Sequence, residues 1–210
     1  MFTKNGLYKK IDEAMNATRN KTQKKETIGK QLLHDSGLLD VWFKNHKDCT
    51  WVEDKDIQLS GTDYLLTSQH NRQVAIDLKV GVGRDYHRLA IENEQYTERD
   101  GCWKRTFTSD KRTDFLVFVN VSTEDEMVDF VIVNYRWIVK EVERVNRGEK
   151  TIFDQTIPKE SFNGTGTYWT IDLEKCKQSR QMFVHQASFD ELTKPGRKSH
   201  NALESILDTL

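Results

Sequence analysis

Between residues 74 and 80 the chain reads Val-Ala-Ile-Asp-Leu-Lys-Val, and this run constrains the fold more than any other. Side chains on a strand alternate faces with a period of two. Val74, Ile76, Leu78 and Val80 therefore share one face, while Ala75, Asp77 and Lys79 share the other. An acid and an ammonium thus stand side by side in an otherwise apolar strand. The run before it, Asp56 to Thr67, is also strand-like, and Ser68-Gln69-His70-Asn71-Arg72 between them is rich in turn formers. The whole segment is predicted as a β-hairpin. Asp63 in the partner strand then brings its carboxylate to the same edge as Asp77 and Lys79. Two carboxylates and an ammonium at one locus suit a divalent cation and an activated water, as in metal-dependent hydrolysis.

The elements around this hairpin follow from apolar spacing. Leu7, Ile11 and Met15 recur every four residues and predict a helix over about 6–18. Ile28, Leu32 and Leu33 predict a second over about 23–36, with Gly37 placed to stop it. Trp42 and Phe43 read as core anchors. Strands are predicted near 50–53, 57–67 and 73–80, and Gly81 and Gly83 loosen the chain before Glu92. A long hairpin follows, Asp114–Val121 with Met127–Tyr135, turning through acidic residues. Trp137, Ile138, Val142 and Val145 predict a helix over 136–146, ended at Gly148. Residues 150–175 read as β-like, and Asn201 to Leu210 open with a capping-box start before a Leu203, Ile206, Leu207, Leu210 stripe. The order describes one α/β domain over 1–210. Its core spans about 22–145, with a basic N-terminal helix or arm over 1–21 and a β/α extension over 150–210.

Composition removes several classes. Charged residues make up 31% of the 210 positions, and the mean hydropathy is −0.73. No apolar run approaches the ~18–20 residues of a membrane span, so no membrane partner is expected. The N-terminus lacks the apolar block of a signal peptide. Cys49, Cys102 and Cys176 are odd in number, far apart and without a C-x-x-C pair. That argues against a zinc site or disulfide framework and for a reducing, cytoplasmic setting. No Gly-x-Ser-x-Gly, Walker loop or Gly-x-Gly-x-x-Gly occurs. A net charge of −1 conceals a basic N-terminus, where Lys4, Lys9, Lys10, Arg19, Lys21, Lys24, Lys25 and Lys30 face only Asp12, Glu13 and Glu26. Lys194, Arg197 and Lys198 form a second basic group. The run Arg19, Lys21, Lys24 and Lys25 suits a nucleic-acid backbone, because each neutralised phosphate releases counterion. A solvated helix face is the other reading.

Gly61-Thr62-Asp63 followed by Asp77-Leu78-Lys79 resembles the signature of the PD-(D/E)xK nuclease superfamily. The longer order is Gln58, Gly61, Asp63, a hairpin, Asp77, Lys79, Leu89-Ala90-Ile91-Glu92, Gly101-Cys102-Trp103 and Lys111 to Val119. It is similar to phage-type and bacterial resolvase-like members, over roughly residues 22–120. Thr62 stands where the superfamily's name has proline. The resemblance implies a restriction-endonuclease-like fold, a central mixed β-sheet flanked by helices. It implies Mg²⁺, or Mn²⁺ in its place, held by Asp63 and Asp77, with Lys79 positioning or activating the attacking water. It also implies a further acid, Glu26 on the second helix or Glu92. The ordinary alternatives are a helix-dipole role for Glu26 and a salt bridge to Lys79 or Arg88 for Glu92. Of Glu92 and Glu94, one is expected to face the cleft and the other solvent. Tyr86 and His87 lie in a loop able to touch DNA, with a plain surface role the other reading of His87. Asp114 reads as structural, and Gln58 joins the face of Asp63 only across a bulge at Gly61.

The resulting expectation is a metal-dependent nucleic-acid phosphodiesterase, a DNA endonuclease of restriction or Holliday-junction-resolvase type from a bacterial or phage-infected cell, with RNA left open as substrate. A homodimer is expected, the Leu203–Leu210 stripe being a candidate contact. The alternative is an inactive nuclease-fold protein that binds nucleic acid or another protein. The presence of both Asp77 and Lys79 favours catalysis.

Overall fold

The computed structural model describes residues 3–17, 21–43, 46–52, 62–68, 70–84, 87–97, 102–106, 108, 111–161, 164 and 166–194, with only the backbone at 46–49, 68, 97, 103 and 105. Arg19, Gln58, Gly61, Tyr86, Arg197, Lys198 and the 201–210 stripe lie outside the described residues.

Thr3 opens the first helix, α1 (Lys4–Met15), by accepting the Gly6 N–H on its hydroxyl. The cap starts the helix before the apolar spacing does, and it ends at Met15 rather than near 18. In α2 (Lys21–Ser36), Ile28, Gly29, Leu32 and Leu33 are buried. Gly37 follows in the left-handed region at φ 67°, where glycine meets no Cβ penalty. A short α3 (Leu38–Trp42) carries Trp42 and leads to Phe43, and both rings are fully enclosed.

The strands form two sheets. The larger has the order β1 (His46–Trp51), β2 (Tyr64–Ser68), β3 (Gln73–Gly83), β6 (Phe115–Ser122), β7 (Met127–Asn134) and β10 (Met182–Ser188). Its central pair, β3 and β6, is parallel, and its other pairs are antiparallel. The second sheet runs β5 (Cys102–Arg105), β4 (Arg88–Thr97), β9 (Gly166–Asp172) and β8 (Lys159–Glu160). The remaining described helices are α4 (Tyr135–Asn146), α5 (Leu173–Gln178) and α6 (Phe189–Thr193). The architecture is α/β, with a mixed central sheet flanked by helices.

Every residue of β6 is buried, because a strand in a parallel pair is covered on both faces. One face packs Ile76, Leu78, Val117, Val119 and Phe130 against α1, α2, α3 and α6. The other packs Leu116, Phe118, Val131 and Val133 against α4, Leu89 and Ile91 of β4, and Trp169 and Ile171 of β9. Helix α2 approaches β3 closely at Gly29, where a Cβ would stand 2.3 Å from a Val80 methyl. Glycine is needed there, and this approach fixes α2 on the Val80 face. No described helix is long and apolar enough to cross a membrane.

Candidate active site

The β2–β3 ladder places Tyr64 opposite Ile76 and Leu65 opposite Ala75, so Asp63 arrives at the level of Asp77. At the end of that ladder the Asp63 N–H donates to the Ile76 carbonyl at 2.7 Å. Its Oδ2 accepts the Leu78 N–H, also at 2.7 Å. The side chain has taken over a main-chain acceptor's place, which locks its carboxyl group beside β3. The Asp63 and Asp77 carboxyl groups stand close enough to repel each other, and a proton held on Asp63 relieves that repulsion. Lys79 Nζ lies 3.0 Å from Asp77 Oδ1. Asp77 is buried, whereas the Lys79 side chain keeps 31% of its surface. The centre therefore opens to solvent on the lysine side.

Charge is unevenly balanced here. Burial pushes the Asp63 carboxyl up to about 7, and the charge of Asp77 adds to the rise against the opposing Leu78 N–H and Lys79. Burial alone would lower the Lys79 ammonium, but Asp77, Glu92 and Asp63 together outweigh it and raise its pKa. A single ammonium thus answers a carboxylate pair that holds a proton to near neutrality. Two oxygen-bearing groups whose mutual repulsion is relieved by a proton are equally suited to a hard divalent cation. Among the described residues no group of three or more His, Cys, Asp or Glu could hold a metal, so Asp63 and Asp77 would form a two-carboxylate site completed by water.

The other sequence candidates fall in different places. Glu92 lies on β4 of the second sheet, and its charge ranks after that of Asp77 among those holding Lys79 protonated. Glu92 and Glu94 do not split between cleft and solvent. Both line one cavity of about 250 Å³ with Ala90 and Tyr168, across a bulge that sets Glu92 opposite Tyr168 and Glu94 opposite Thr167. Glu26, Lys21, Lys24 and Lys25 stand on α2, on the face of β3 opposite to Asp77 and Lys79. The sheet separates them from the carboxylate pair. Lys25 is half-buried, and its burial together with Lys21 lowers its pKa.

His87 is held between two acids rather than presented to a phosphate. Its Nδ1 is 3.1 Å from Asp129 Oδ2 and its Nε2 is 2.8 Å from Asp125 Oδ2. The Asp125 hydrogen bond is the largest cause of its raised pKa. Asp114 is structural: its N–H donates to the Ala75 carbonyl at 2.9 Å, and its Oδ2 accepts the Ala75 N–H at 2.8 Å. These bonds pin β6 to β3 just before Asp77. Arg136 and Lys140, which line a second cavity and were not among the sequence candidates, stand at i, i+4 on the helix predicted over 136–146.

No family model matches the chain, and neither the curated proteins nor the solved structures contain a match.

Proposed function

We propose that this protein is a divalent-metal-dependent nucleic-acid phosphodiesterase built on a restriction-endonuclease-like sheet, with DNA endonuclease activity the favoured form. The observation that carries the reading is the Asp63–Asp77 carboxyl pair in contact with Lys79 in the middle of a covered sheet. Structural ion pairs are built to neutrality, and this one keeps a carboxyl near pKa 7. A bound Mg²⁺ or Mn²⁺ would polarise the phosphoryl oxygen and favour a hydroxide nucleophile. Asp63 and Asp77 are the residues that would hold it. The Lys79 ammonium is fixed by Asp77 and partly open to solvent, so it can donate to the attacking water or to the charge developing on phosphorus. Glu92 contributes charge that keeps Lys79 protonated.

The test is cleavage of supercoiled plasmid, linear duplex, a four-way junction and RNA in parallel, with Mg²⁺, with Mn²⁺ and with EDTA. Metal-dependent cutting of at least one substrate supports the reading and names the substrate class. An inert wild type on all four, with nucleic acid still bound, assigns the chain to the inactive binders.

A further inference from the structure

A cavity of about 450 Å³ opens between the segment entering β6 and the first two turns of α4. Lys111 and Arg112 line it from the segment before β6 and Arg136 and Lys140 from α4, and the acids Asp114 and Glu143 also line it. Four cations against two carboxylates leave it positive. Asp114 is committed to the Ala75 N–H, which reduces its hold on the cations. Arg112, Arg136 and Lys140 are exposed, so their charge is available to a ligand in the cavity.

The position of the cavity is as informative as its charge. Helix α4 lies on the face of the sheet that carries Asp77 and Lys79. The cavity reaches β3 through Asp114 at Ala75, two residues before Asp77 on the same face. Two residues of extended chain span about 7 Å. Phosphates succeed one another at about 3.4 Å per strand along a duplex axis. A strand with one phosphate at Asp63 and Asp77 thus brings a neighbouring phosphate to the mouth of this cavity.

We infer that the Lys111, Arg112, Arg136 and Lys140 cavity is the backbone-phosphate subsite that holds the nucleic acid next to the carboxylate pair, in place of the basic run on α2. This rests on the phosphodiesterase reading for its choice of ligand and for the phosphate at Asp63 and Asp77; the charge of the cavity stands without it. Arg side chains present a planar fork to phosphate, and Lys140 adds a point charge one helical turn from Arg136.

The experiment is a binding isotherm of the full chain with a short fluorescein-labelled DNA duplex in Ca²⁺, as a function of salt. Three proteins are compared: wild type, Arg136→Gln/Lys140→Gln, and Lys21→Gln/Lys24→Gln, which removes the same charge from α2. The cavity variant is expected to bind about tenfold weaker or worse, with a salt slope reduced by about two. The α2 variant should stay within about twofold of wild type on the same counterion argument. Equal losses in both variants, or a cavity variant that binds like wild type, overturns the inference. A wild type that binds no duplex also overturns it. Thermal melts accompany each protein, and Arg112→Gln, a single exposed substitution, gives the same reading should the double variant misfold. Cleavage is not measured in this arm. A wild type that binds in Ca²⁺ through the cavity but cuts nothing in Mg²⁺ removes the hydrolytic reading and leaves the subsite standing.

Discussion

Two clusters on one face of the central sheet contain the same ingredients, two carboxylates and one base. In the middle of β3, Asp63 and Asp77 share Lys79. Towards the turn between β6 and β7, Asp125 and Asp129 share His87. In the second cluster each acid has a further donor: Ser122 Oγ reaches Asp125 at 2.7 Å and Gln186 Nε2 reaches Asp129 at 2.7 Å. The Ser122 bond, then the His87 bond, hold Asp125 below the usual carboxylate range, and His87 rises. In the first cluster the carboxyls face each other, and burial drives Asp63 up to about 7. The lesson is that donor supply, rather than the number of charges, separates a saturated cluster from one whose carboxyl must keep a proton. A saturated cluster has no further use for a cation, while an undersupplied carboxyl pair has acceptor capacity left over.

The strongest way to break this contrast is to neutralise one acid in each cluster. Asp77→Asn is expected to lower single-turnover cleavage by at least about a thousandfold, since metal-assisted stabilisation supplies several kcal/mol. The fold should persist with a modest loss of stability, because Lys79 loses its ion-pair partner. Wild-type turnover in that variant would remove the assignment of Asp77.

A more local probe is Lys79→Arg. The guanidinium is wider and planar, and it cannot reproduce a compact ammonium 3.0 Å from Asp77. About a hundredfold loss of turnover is expected with duplex binding in Ca²⁺ retained, the mark of an interaction made mainly in the transition state. Undiminished turnover with arginine at 79 would reduce Lys79 to a charge-balancing role.

Asp129→Asn should do the reverse of Asp77→Asn. It leaves a buried site with His87 and Gln186 poorly paired, so a loss of about 2–3 kcal/mol in urea unfolding is expected, with turnover per folded molecule unchanged. Lost turnover in a stable Asp129→Asn protein would erase the distinction between the clusters.

The smallest effects are in the pH dependence of stability, measured in EDTA. Asp63 holds its proton to about 7 in the native state, whereas an unfolded Asp releases it near 3.9. The native state therefore binds more protons between those values, and its stability falls as pH rises from about 4 to 7. Asp63→Asn should flatten that interval. His87 is also raised, so its stabilisation is complete below an unfolded value of about 6.5 and is lost as pH rises through the native one. His87→Gln should flatten the profile above about 6.5 and leave the acid side unchanged. Matching profiles for the two variants would show that the clusters titrate together.

What could be read from the sequence was what neighbours along the chain settle among themselves. Asp63 and Asp77 meet because one hairpin joins their strands, and the period of two alone puts Lys79 beside Asp77. The hairpin of β6 and β7 and the helix after it are likewise local patterns, and Gly37 and Gly148 stop their helices in the left-handed region. Partners brought from afar leave no such trace. His87 reaches Asp125 and Asp129 from 38 and 42 residues away. β4 pairs with β9 to make a second sheet that no local run announces, and β10 completes the edge of the first. Glu26 and the basic run on α2 show the limit most plainly. An apolar stripe says that a helix must cover a sheet, but either face satisfies the stripe. The close fit of Gly29 against Val80 chose the face away from Asp77, while α4 carried Arg136 and Lys140 to the face that bears it.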